Sequence, residues 1–124
     1  MTKPILPAEV SAAVVDPAAY GDWDGLHEQL AWARANAPLA VAENPDHDPF
    51  WLVTRHTDIM AISRDPQRFA NGIRPTVLTN RDGEALARAA TPNNDGHLIR
   101  SLVQMDAPDH MKYRLLTQSW FMPK

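Results

Sequence analysis

The sequence has no cysteine among its 124 residues. That absence excludes disulfides, thiolate metal sites and a cysteine nucleophile within the chain. Long apolar runs are missing as well. Prolines and a glutamate break up the opening stretch MTKPILPAEVSAAVVDPAAY before it reaches the length of a signal peptide core, and no later segment is long enough to span a bilayer. Charge comes without blocks. The 12 basic and 15 acidic side chains are interleaved to a net charge of −3, which leaves no basic stripe for a phosphate backbone. Zinc-finger and helix-turn-helix spacings are absent, as are a glycine-rich phosphate loop and a G-x-S-x-G elbow. Together these absences predict a soluble, cytoplasmic protein that binds neither nucleic acid nor membrane.

What is present is a chain of single-domain length with 44% apolar residues, enough for a modest core. Its 11 prolines are nearly double the common share and scattered throughout, which predicts short elements joined by turns. Residues 1–20 read as an irregular arm. In GDWDGLHEQLAWARANAP, Asp22 and Asp24 precede Leu26, Leu30, Ala33 and Ala37 at helical spacing, so a first amphipathic helix is expected, ended by Pro38. The short runs LAVAE and PFWLVTR flank the turn-rich NPDHDP and predict a β-hairpin, with Trp51 and Val53 on one face and Phe50 and Leu52 on the other. HTDIMAISRDP reads as a short helix that starts near Thr57 or Asp58 and is closed by Pro66. From residue 71 to about 104 the periodicity dissolves into Asn71-Gly72, Asp82-Gly83 and Asn94-Asp95-Gly96 turns, with EALARAA as one helical turn. A loop of that length is more often functional than connective, and it reads as a lid or specificity segment.

The last segment, MDAPDHMKYRLLTQSWFMPK, predicts a helix over residues 106–121. Asp106 fits an N-cap, Pro108 the first turn, and Asp109 the acid of a capping box. Met111, Leu115 and Ser119 share one side and Tyr113, Leu116 and Trp120 another, so few positions are plainly solvent-facing. His110 and Arg114 stand four apart, with Cβ atoms roughly 5–6 Å from each other. One reading makes them a clamp for an anion, the arginine offering a planar fork and the histidine a second donor. The other pairs Arg114 with Asp109 or Asp106 on the surface and leaves His110 an ordinary helix residue. His27, His47, His56 and His97 lie on separate elements without metal-ligand spacing, and no metal site is expected. Asp106 and Asp109 would suit an acid–base pair, but capping explains their place, so no catalytic residue is assigned.

The string LVQMDAPDHMKYRLLTQSWFMPK resembles the C-helix signature of soluble bacterial cytochromes P450, a Met-Asp-x-Pro-x-His-x-x-x-Arg pattern filled here by Met105, Asp106, Pro108, His110 and Arg114. Upstream, DPFWLVTRHTDIMAISRDPQRFAN resembles the same family's first β-hairpin strand, its B helix and the Phe-Ser/Ala-Asn element that follows. The resemblance spans most of residues 20 to 124. Both blocks are similar to the terpineol-hydroxylating branch, including Trp120-Phe121 at the end of the C helix. The fold implied is α+β, mainly α: the N-terminal part of the P450 fold, with A helix, first β-hairpin, B helix, B–C loop (71–104) and C helix (106–121) in a single domain.

The same resemblance implies that His110 and Arg114 hold the propionates of a haem. It implies that the B–C loop covers the distal side, with Leu98, Leu102 and Val103 as candidate substrate contacts or, equally, as packing residues. Lys112 and Lys124 would lie near the proximal face, where the family docks a ferredoxin by charge complementarity, or else are plain solvated charges. The activity implied is insertion of one oxygen atom of O2 into a small apolar, terpenoid-like substrate. The chain departs from the family at one decisive point: the axial cysteine thiolate has no counterpart here. The long central helix with its acid–alcohol pair and the Glu-x-x-Arg pair are also missing. An N-terminal fragment, inactive alone, is therefore expected. The alternative is a non-catalytic helical interaction module, which would be monodisperse with a cooperative melt where a fragment would be sticky.

Overall fold

A computed structural model describes residues 2–74 and 78–123. Residues 1–64 and 65–124 form two compact units. The architecture is α+β and mainly helical, with one small antiparallel sheet.

In the first unit, helix α1 spans Ala8–Ala13 and helix α2 spans Trp23–Asn36. Strands β1 (Leu39–Asn44) and β2 (His47–Val53) pair antiparallel, and helix α3 covers His56–Ser63. The carboxylate of Asp22 accepts the Gly25 N–H at 3.2 Å and so caps α2, while Ala37 and Pro38 end it. In the hairpin, Val41 stands opposite Trp51 and Ala42 opposite Phe50, and the register slips between Ala42 and Asn44. Period-two alternation then decides what is buried: Phe50 and Leu52 pack on the core while Trp51 is exposed. Helix α3 begins one residue earlier than expected, after Arg55, and stops at Ser63, ahead of Pro66.

The first twenty residues are not an irregular arm. Pro4 and Leu6 bond to β1, with Leu6 N–H donating to the Val41 carbonyl at 2.9 Å and Val41 N–H to the Pro4 carbonyl at 2.8 Å. Ile5 thereby forms a parallel bridge with Val41. The chain then turns into α1 and, after Asp16, into a 3-10 turn at Pro17–Gly21. Leu6, Val10 and Val14 are four apart, and all three enter the core with Ala33, Ala40 and Ala42. The three alanines are completely buried, which lets helix and strand backbones approach closely. Full burial of a valine or leucine side chain is worth about 1.5–3 kcal/mol, so this supposed arm supplies much of what holds the unit together.

In the second unit, the segment 71–104 is not a structureless loop either. Helix α4 runs from Arg81 to Ala90 and a 3-10 turn covers Leu102–Gln104. Asn80 caps α4 by accepting the Gly83 N–H at 2.8 Å, so the Asp82-Gly83 pair lies inside the first helical turn instead of forming a β-turn. Glu84 is paired with Arg88 one turn on, at 2.9 Å, and with Arg74. The Asn94-Asp95-Gly96 turn does form, with left-handed backbone at Asn94 (φ 53°) and Gly96 (φ 77°). Helix α5 spans Asp109–Phe121, three residues shorter at its start than expected. Every hydrophobic residue that is buried belongs to the first unit; among the described residues 65–123, only Gly96 and His97 are buried.

Candidate functional site

Helix α5 carries His110 at its second position and Arg114 one turn later. No side chain caps the helix; instead the His110 N–H donates to the Asp106 carbonyl at 2.9 Å, which fixes the backbone from which the helix rises. The carboxylate of Asp106, expected to cap, is occupied elsewhere. Its two oxygens accept the N–H groups of Asn71 at 2.8 Å and Gly72 at 2.6 Å. Those two bonds, together with the nearby positive charge of His110, hold the Asp106 carboxyl below the usual aspartate range.

Asp106 is therefore not the partner of Arg114. Among the described residues the Arg114 guanidinium makes no ion pair, with Asp109 or any other acid, and its carbonyl receives the Thr117 hydroxyl at 3.2 Å. Arg114 is exposed and His110 half-buried. The surface-pair alternative thus finds no support in the geometry. Two donors one turn apart, with the Asp106 carboxylate already bonded elsewhere, can receive an anion. An arginine presents a bidentate fork to a carboxylate, and such charge-assisted bonds are worth about 1.5–3 kcal/mol once shielded from water. The donor set fits a carboxylate-bearing cofactor such as haem.

Of the other residues singled out from sequence, Leu102 is half-buried at the 3-10 turn, while Leu98 and Val103 are exposed. Lys112 lies exposed on α5 with its Nζ 5.8 Å from the Tyr113 ring centroid. Lys124 lies outside the described residues. Sequence reasoning missed two participants: Gly72 and His97. The His97 ring is buried, and its Nε2 lies 3.1 Å from the Gly72 carbonyl. Nothing in the local pattern signals this contact, because its partners are 25 residues apart.

The element order of helix, hairpin, short helix, connecting segment with its own helix, and final helix is that of the N-terminal region of the cytochrome P450 fold. A solved structure of CYP108D1 from Novosphingobium aromaticivorans superposes on it with a TM-score of 0.86 at 46% identity, over 97% of this chain and 29% of that one. Cytochrome P450-terp from a Pseudomonas species is 35% identical over 118 residues, covering 95% of this chain and 27% of its own length. Mycinamicin VIII C21 methyl hydroxylase from Micromonospora griseorubida is 32% identical over 96 residues, or 77% of this chain and 22% of that protein. No family model matches the chain. It belongs to the cytochrome P450 family. It spans about a quarter of the length of the relatives it matches.

Proposed function

We propose that these residues serve a haem-thiolate monooxygenase by receiving the haem propionates on α5, with Arg114 as the bidentate donor and His110 as the second. The observation that carries this reading is the unpaired Arg114 guanidinium beside His110, with the neighbouring Asp106 carboxylate engaged by Asn71 and Gly72. A carboxylate placed between these two donors accepts from both and is thereby held in a fixed orientation. Bound haem supplies the oxygen-activating redox chemistry, through a thiolate that a longer chain must contribute, since these residues include no cysteine. Alone, the 124 residues are inactive in oxygenation.

The reaction is insertion of one oxygen atom of O2 into a small apolar substrate. Similarity to P450-terp supports a terpenoid, and the exposed apolar side chains of Leu98 and Val103, with Leu102, supply its contacts. Electrons come from a ferredoxin-type donor, whose acidic surface is met by Lys112 and Lys124 through complementary charge; raising the salt concentration should slow that reduction.

The test is Arg114→Ala in the complete enzyme. Haem retention should fall by about tenfold, the loss of one charge-assisted bond, while substrate range changes little. Unchanged haem occupancy would remove Arg114 from the propionate site.

A further inference from the structure

Gly72 is gripped on both sides. Its N–H donates to Asp106 Oδ2 at 2.6 Å, beside the Asn71 N–H on Oδ1 at 2.8 Å. Its carbonyl faces His97 Nε2 at 3.1 Å, and because a carbonyl only accepts, Nε2 is the protonated ring nitrogen. The other ring nitrogen, Nδ1, is buried without a hydrogen-bond partner, so the bond to Gly72 is the one the ring makes. The approach of the carboxylate is close enough that any side chain at residue 72 would have to displace it. A Cβ at residue 72 would stand 2.9 Å from Asp106 Oδ2. Meanwhile the carbonyl of the same Asp106 accepts the His110 N–H at 2.9 Å.

One residue thus joins two things far apart in sequence. Its side chain holds the first residues of the segment that begins at Asn71, and its backbone starts the helix that carries His110 and Arg114. We propose that Asp106 is a positioning residue: its carboxylate, with His97 on the opposite face of Gly72, pins the opening of the 71–104 segment to the N-terminal end of α5. The segment is thereby closed at its base, and any opening of the segment must either break these bonds or carry the start of α5 with it. The consequence for cofactor retention rests on the propionate reading above; the clamp itself does not. A carboxylate can accept two backbone N–H bonds at once, whereas an asparagine at this place has a single acceptor oxygen and must turn its amide nitrogen toward the second N–H.

The clamp is tested by amide NMR on the complete protein that contains these 124 residues. The Asn71 and Gly72 amide protons should shift together as pH falls, reporting protonation of a carboxylate 35 residues away in sequence. In Asp106→Asn that titration should vanish and exchange at both amides should rise by about tenfold or more, with the His110 amide following. Gly72→Ala should reproduce the faster exchange. A purely structural contribution of Asp106 to helix stability would move the His110 amide and leave no carboxylate titration at Asn71 and Gly72. Should the variants fail to fold, the titration in the unaltered chain decides. Fast exchange at both amides in that chain, or an absent titration, overturns the proposal. If the titration is seen while Arg114→Ala leaves haem occupancy of the complete enzyme unchanged, the clamp stands and the propionate reading falls; the reverse pair of results separates them the other way.

Discussion

Residues 1–64 and residues 65–124 are built on different principles. The first unit has an apolar interior: Leu6, Val10, Val14, Leu26, Ala33, Ala40, Val41 and Ala42 are all buried. The second is organised by polar bonds. Asp106 holds Asn71 and Gly72, His97 holds the Gly72 carbonyl, and Arg88 reaches both Glu84 and the Asn94 carbonyl at 3.0 Å. Most of the large apolar side chains among its described residues instead point outward. Trp120 is 86% exposed and Phe121 85%, beside Leu115, Leu116 and Met122 on or next to α5. Hydrophobic burial is indifferent to direction, while hydrogen bonds demand geometry. The first unit can therefore be stable on its own residues, and the second has a specified shape with little net stabilisation behind it.

The largest break in this contrast should come from Val10→Asp. Val10 is only 2% exposed, and an unpaired carboxylate there costs about 3–5 kcal/mol, enough to abolish the cooperative melt of the first unit. A retained melt would mean that the core is less closed than its burial implies. Gly72→Ala comes next, with faster local amide exchange expected as the added methyl displaces the Asp106 carboxylate; exchange at Asn71 measures it.

Acidification should sharpen the difference further. The two carboxylates held below their usual range, Asp106 by the Asn71 and Gly72 amides and Glu84 by Arg74 and Arg88, both lie in the second unit. A lowered folded-state pKa contributes stability that is fully present above the ordinary values of about 3.9 and 4.3, and is lost as pH falls through the lowered ones. Exchange protection around Asn71 and Arg88 should therefore decline as pH falls below those ordinary values; protection that does not respond to acidification at all contradicts this account. The smallest effect is expected from Leu116→Ser. At 69% exposure the side chain contributes almost nothing, and the melting temperature of the chain should shift by no more than about 0.5 kcal/mol of stability implies.

The parts legible in the sequence are those with long periodicity or strong punctuation. Helix α2 announces itself by Asp22 and four spaced apolar positions, and the hairpin by alternation around a proline-rich turn. Helix α1 was hidden because six residues between prolines hold too few turns for a period to register, although the spacing of Leu6, Val10 and Val14 was present to be read. Helix α4 was legible only as the turn EALARAA, because Gly83 looks like a turn residue until Asn80 is seen to cap the helix. The candidate pair His110 and Arg114 was visible from its spacing and its resemblance. The true partners of Asp106 were not, since a bond spanning 35 residues leaves no trace in a local window.

The bridge between Ile5 and Val41 also sets a schedule. Every contact that closes the first unit is available once the hairpin has been made, and the Thr54 N–H has reached the Pro38 carbonyl at 3.0 Å. At a synthesis rate of about 5–20 residues per second, every further sixty residues take roughly 3–12 seconds to appear. Folding of such a unit is typically far faster than that. During such an interval the outer strand of the two-stranded sheet, β2, carries Asp48 and Pro49, a charge and a residue without an N–H, which discourage neighbouring nascent chains from pairing there.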